Sequence, residues 1–122
     1  MKESIIQAKS YKFAVRIVNL YLYLTKEKKE YELSKQLLRS DTSIGANVEE
    51  AAGGYSQKDF LFKMTVPYKE ARETKYWLRL LRDTNLISEN MFESFVNDCE
   101  ELLRIIGKIQ ITLKKKEEVR NS

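Results

Sequence analysis

The acidic side chains that could do chemistry in this sequence are Glu50, Glu70 and Glu73. At helical spacing, Glu70 and Glu73 fall on the apolar side with Val66, Trp77 and Leu80, away from the exposed charges. Glu50 closes a polar seam of Gln36, Ser40, Ser43, Asn47 and Glu50, whose alternating steps of four and three track one side of a helix. Carboxylates held near a core need partners, because an unpaired buried charge is too costly to keep. Gln36, Arg39, Ser40 and Asn47 are the candidate donors. Two readings follow: a carboxylate site for metal or acid/base work, or a polar network that fixes helix register or subunit geometry.

The composition favours the network. Histidine is absent, with a count of 0, which removes Ser-His and Cys-His nucleophile pairs, the imidazole base and zinc sites of Cys/His type. Di-iron bundles ordinarily need Glu-x-x-His, so an all-carboxylate imitation is disfavoured. The single cysteine, Cys99, cannot form an internal disulfide. It sits in an apolar stripe of the last helix with Phe92, Phe95, Leu102, Ile106, Ile109 and Leu113, all expected to face the core, where packing is the expected role. No catalytic residue, metal, cofactor or small-molecule substrate is therefore assigned, and a non-catalytic protein is expected.

A second constellation is basic. Lys58, Lys69, Arg72, Lys75, Arg79 and Arg82 span an arc of about 140° on one long helical pattern, with Tyr68 and Tyr76 among them. Cations interleaved with tyrosine suit a phosphate backbone and stacked bases. An ordinary solvated helix face has the same composition, and a pI of ≈ 9.1 is only moderately basic. The run Lys114-Lys115-Lys116 is a weaker signal, since Glu117 and Glu118 follow it directly.

The elements that must position these groups are helices. Four glycines and one proline punctuate 122 residues, and no alternating β pattern is sustained. The periodicity predicts an all-α, up-down antiparallel four-helix bundle in one domain, 1–122, with helices over about 4–24, 31–52, 56–84 and 88–116. Residues 25–30 form a charged connector. Gly53-Gly54 ends the second helix through the left-handed cap conformation, Ser56 with Asp59 caps the third, and Asn85 ends it. Ser88 followed by Glu89 opens the fourth, and a frayed charged tail is expected from Lys114 to Ser122. Pro67 predicts a kink near 64–67; a break into two helices is the rival expectation.

The first helix has more apolar surface than a bundle requires. Ile6, Phe13, Ile17, Leu20 and Leu24 make one stripe, and Tyr11, Val18 and Leu22 a second beside it. Contact with another subunit is the favoured reading of the extra stripe, simple exposure the alternative. No apolar run approaches the roughly 18 residues of a membrane span, and residues 1–10 show no signal-peptide core, so a bacterial-style cytoplasmic protein is expected.

The central block carries a family resemblance. Gln36-Leu37-Leu38-Arg39-Ser40, Ser43-Ile44-Gly45-Ala46-Asn47-Val48-Glu49-Glu50-Ala51, then Ser56, Asp59 and Phe60, and Lys69-Glu70-Ala71-Arg72-Glu73-Thr74-Lys75-Tyr76-Trp77-Leu78 resemble the bacterial 23S rRNA-intervening-sequence proteins. The likeness extends over about 11–113 and departs at Ala51-Ala52, where a glycine is usual, and at Pro67, where a helix former is usual. It implies a four-helix bundle assembling as a ring, a homopentamer, with a role around RNA. The accessory protein of diversity-generating retroelements is similar in architecture and assembles with a reverse transcriptase and its RNA. The polar seam coincides with the family motif, which adds weight to a subunit-positioning role for Asn47 and Glu50. The sequence-level expectation is thus a ring-forming, RNA-binding bundle, with Lys69, Arg72, Lys75, Arg79 and Arg82 on phosphates and Tyr68 or Tyr76 stacking. The rival is a protein-interaction or scaffold module without nucleic acid.

Overall fold

A computed structural model describes residues 4–54 and 56–121. Ser122, the last residue of the expected tail, lies outside them. The helices are α1 (Ile5–Lys26), α2 (Glu32–Ala52), α3 (Gln57–Lys63), α4 (Thr65–Asp83) and α5 (Glu89–Asn121). No strand occurs among the described residues. The four long helices close a square in which α1 packs on α2, α2 on α4, α4 on α5 and α5 back on α1. Short connections make chain neighbours antiparallel, as the up-down bundle requires.

Local chemistry sets the ends. Ser4 and Gln7 form a reciprocal capping box at the start of α1. Between α1 and α2 the backbone turns through Lys29 at φ 53°, and the Glu30 carboxylate then accepts the N–H groups of Glu32, Leu33 and Ser34 at 2.9, 3.0 and 2.7 Å. Partial burial pushes the Glu30 carboxyl up, but the backbone donors at Leu33, Ser34 and Glu32 outweigh it and hold the group below its ordinary value. Replacing Glu30 with alanine should cost about 1–2 kcal/mol, the size of a lost N-terminal cap, in urea unfolding at pH 7. Because the folded-state pKa is lowered, that contribution is present above the unfolded carboxylate range and is lost as pH falls through the folded value. At pH 2 the variant and the parent should unfold alike.

Four expectations need correction. Neither Gly53 nor Gly54 is left-handed, and Gly53 has φ −89°. Gly54 is needed for space instead, since a Cβ there would lie 2.5 Å from Asp59 Oδ2 and 3.1 Å from the Ala51 carbonyl oxygen. The third predicted helix is broken rather than kinked. Pro67 has no N–H for the Lys63 carbonyl, so α3 ends at Lys63 and α4 restarts at Thr65, with Pro67 buried in its first turn. Nor does the last helix fray at Lys114, because α5 continues to Asn121, where Arg120 meets Glu117 at 3.7 Å across one turn. Finally, its apolar stripe is only partly interior: Phe92, Cys99, Leu102 and Ile106 are buried, while Ile109 and Leu113 lie where α5 passes α3 and are partly exposed. Asn85 behaves as expected. At φ 63° it closes a Schellman motif, with its own N–H on the Arg82 carbonyl and that of Leu86 on the Leu81 carbonyl.

The core takes Ile6, Phe13, Ile17, Leu20 and Leu24 from α1, Leu37, Ile44 and Val48 from α2, and Ala71, Leu78 and Leu81 from α4. The second α1 stripe stays outside: Tyr11 is 69% exposed, Val18 40% and Leu22 39%, joined by Val15 at 47%. No helix is long and apolar enough to cross a membrane among the described residues.

Candidate nucleic-acid interface and polar seam

The seam forms where α2 meets α4. Ser40 Oγ lies 2.9 Å from Thr74 Oγ1, with both residues fully buried. The Ser40 hydroxyl also bonds the Leu37 carbonyl, and that of Thr74 the Glu70 carbonyl. Toward the surface, Arg39 donates to Glu73, lies 3.6 Å from Glu70 and bonds Gln36 Oε1 at 3.3 Å. The Trp77 indole N–H donates to Glu73 at 3.2 Å. Burial raises the Glu70 carboxyl above its ordinary value, the Glu73 charge adds to that, and Arg39 opposes both. Gln36, Arg39, Ser40, Glu70 and Glu73 therefore form one network, with Thr74 and Trp77 as members that sequence reasoning missed.

The remaining seam residues stand apart. Asn47 Nδ2 bonds the Ser43 carbonyl at 2.7 Å and its hydroxyl at 3.1 Å, within α2 itself. Glu50 is exposed and lies 3.8 Å from Lys63 on α3, so it does not join Glu70 and Glu73. Among the described residues no group of three or more His, Cys, Asp or Glu side chains is arranged to hold a metal ion. Glu73 is held by the Arg39 guanidinium and the Trp77 indole N–H, while Glu70 Oε2 is buried 3.6 Å from Arg39 without a hydrogen-bond partner among the described residues, an arrangement that ties α2 to α4.

The basic arc divides. Lys75 pairs with Glu100 on α5. Arg82 pairs with Asp83 at 2.9 Å, reaches Glu89 at 4.0 Å, and lies 4.0 Å over the Phe92 ring. These two cations are largely neutralised within the bundle. Tyr68 is half-buried against the core, where a Cβ on Gly107 would be 3.7 Å from its ring. Lys69, Arg72 and Arg79 are exposed, and none makes an ion pair within 4 Å among the described residues. Tyr76, 50% exposed, stands among them, edge-on to Trp77 at 5.2 Å. The outward-facing part of the predicted site is thus Lys69, Arg72, Tyr76 and Arg79.

One buried group escaped the sequence reading. Asp41 is 1% exposed, and neither carboxylate oxygen has a hydrogen-bond partner among the described residues. Desolvation pushes its carboxyl up to about 7. It lies four residues after Leu37 and three before Ile44, on the inward stripe of α2, and that placement was the signal available. Cys99 is buried nearby, its thiol donating to the Ala71 carbonyl at 3.1 Å. Burial first, then the charges of Asp41 and Glu100, push the thiol up to about 12, so Cys99 packs and does not react.

The class defined by this geometry is an all-helical bundle with a structural polar seam and one outward basic stripe. The chain belongs to the 23S rRNA-intervening sequence protein family, whose pattern matches residues 2–108. It is similar to a protein of unknown function from the S23 ribosomal protein family of Bacteroides thetaiotaomicron, known from a crystal structure at 1.70 Å resolution. The two are 48% identical with a TM-score of 0.85, over 87% of this chain and 98% of that one. No curated protein matches. The family's description names no reaction.

Proposed function

We propose that this is a non-catalytic, self-assembling bundle that binds RNA through the outer face of α4. The observation that supports this reading is the cluster of exposed cations without ion-pair partners among the described residues, Lys69, Arg72 and Arg79, around the half-exposed Tyr76. Three cations along nearly three turns match the phosphates of a single strand, and a ring beside them offers a stacking surface. The family's description refers to an intervening sequence of 23S rRNA, which favours RNA over other polyanions. Copies of the chain associate through the outer stripe of α1, forming a ring that repeats the basic face and multiplies a weak single-site affinity. A homopentamer in the cytoplasm is the assembly this reading carries.

Fluorescence titration of single-stranded RNA at several salt concentrations tests it. With three phosphates neutralised per chain, the logarithm of the affinity should fall with the logarithm of salt at a slope of about −2. The double variant Arg72→Glu/Arg79→Glu should bind at least about tenfold more weakly. Lys75→Gln and Arg82→Gln, whose cations are already paired, should change little. A flat salt response, or full affinity in the double variant, would refute the reading.

A further inference from the structure

A second surface, made of other cations than the RNA-binding reading uses but bordering them at Thr65 and Tyr68, lies between α3 and the C-terminal half of α5. There a groove of about 650 Å³ has a floor of Leu61, Phe62, Tyr68 and Ile111. Phe62 is 73% exposed and Ile111 60%, and α3 contains no fully buried residue. A seven-residue helix presenting aromatic and aliphatic side chains outward gains little from its own chain. An outward apolar cluster at the edge of a groove, rimmed by polar groups, is the form an interaction site takes. The rim gives the second clue: the only charged residues lining the groove are Lys58 and Lys114, and neither forms an ion pair among the described residues. Of the polar lining groups, the Thr65 hydroxyl is turned onto the Phe62 carbonyl at 2.7 Å.

We infer that this groove receives an amphipathic helix from another protein, with its apolar stripe on the floor and acidic side chains against Lys58 and Lys114. Charge complementarity selects the acidic partner, and the mixed aliphatic and aromatic floor of Leu61, Phe62, Tyr68 and Ile111 suits the apolar stripe of a helix. A copy of this chain fits less well. The outer stripe of α1 is flanked by Lys12 and Lys26, so docking it here would bring cations to cations.

The test uses the full chain and three fluorescein-labelled probes. One is a synthetic amphipathic peptide of about 14 residues, some four helical turns, with a leucine stripe and glutamate flanks. The others are its lysine-flanked counterpart and a single-stranded RNA of similar length. The glutamate peptide should bind about tenfold more tightly than the lysine peptide at low salt. Lys58→Glu/Lys114→Glu should invert that order. Ile111→Glu should abolish peptide binding while RNA affinity and melting temperature stay unchanged, and Arg72→Glu/Arg79→Glu should leave peptide binding intact. Equal binding of the two peptides, or of neither, would overturn the assignment. So would loss of RNA affinity in Ile111→Glu, or a fall in its assembly mass in light scattering.

Discussion

Asp41→Asn should stabilise the folded protein by about 4 kcal/mol more at pH 8 than at pH 4, at roughly 1.4 kcal/mol per unit of pKa shift. Folding raises the Asp41 carboxyl to about 7, from about 4 in an unfolded chain. Below the lower value both states are protonated, and the acid and the amide are near-equivalent neutral groups of one shape. Between the two values the folded state holds a proton that the unfolded state has released, so stability falls as pH rises. Above the folded value both states are ionised and the full penalty stands. Among the described residues nothing offsets it nearby: neither carboxylate oxygen has a hydrogen-bond partner, and the neighbouring thiol of Cys99 donates to the Ala71 carbonyl instead. Urea unfolding of parent and variant at pH 4, 6 and 8 reads the difference directly. Parallel stability curves would mean that the carboxylate is hydrated or paired in solution and that its burial is not dry. Glu30 makes the internal comparison, because its lowered pKa gives pH dependence of the opposite sign.

The same residues show how far the fold was legible in sequence. Apolar periodicity located the core of α1 side chain by side chain, because a stripe at 3.6-residue spacing has one way to face a bundle. It located the Arg39 and Ser40 network for the same reason. Asp41 was passed over although it shares that stripe with Leu37 and Ile44, since hydropathy reading treats an acid as an outward position. The basic arc spread over two helices once the pattern broke before Pro67, with Lys58 on α3 beside the groove and the other five cations on α4. Whether Lys75 and Arg82 are available depends on Glu100 and Phe92 of α5, and such pairings across helices leave no trace in local spacing. The glycine pair failed differently: Gly54 fits the tight space beside Asp59 and the Ala51 carbonyl, a property of two segments together, while a Cβ on Gly53 would meet only the Glu50 carbonyl at an ordinary 3.6 Å. The break before Pro67 turned on a single missing donor, which the sequence states but whose outcome the packing of α3 decides.

If copies associate through α1 as proposed, the double variant Val18→Glu/Leu22→Glu should leave single chains, weakening association by at least about a thousandfold. That figure corresponds to about 4 kcal/mol, which two apolar side chains at roughly 1.5–3 kcal/mol each can supply. Tyr11, Val15, Val18 and Leu22 follow one another at steps of four, three and four, the spacing of a seam made for another helix. All four are at least 39% exposed, so their substitution leaves the core of the bundle intact. Gly45 points the same way. It stands in mid-helix, where glycine costs about 1 kcal/mol relative to alanine, yet a Cβ there would meet nothing within 4 Å. It opens onto a cleft of about 220 Å³ with Tyr11, Ala14, Thr42 and Ala46. Within one chain the glycine brings no return, whereas a closely approaching neighbour would use the missing side chain. Gly45→Ala should therefore raise the stability of dissociated chains while Gly45→Leu disrupts association. Light scattering across a concentration series distinguishes the cases. A parent already monomeric at high concentration, or a double variant of unchanged mass, would remove α1 from the interface and with it the route by which a weak basic stripe becomes a multivalent one.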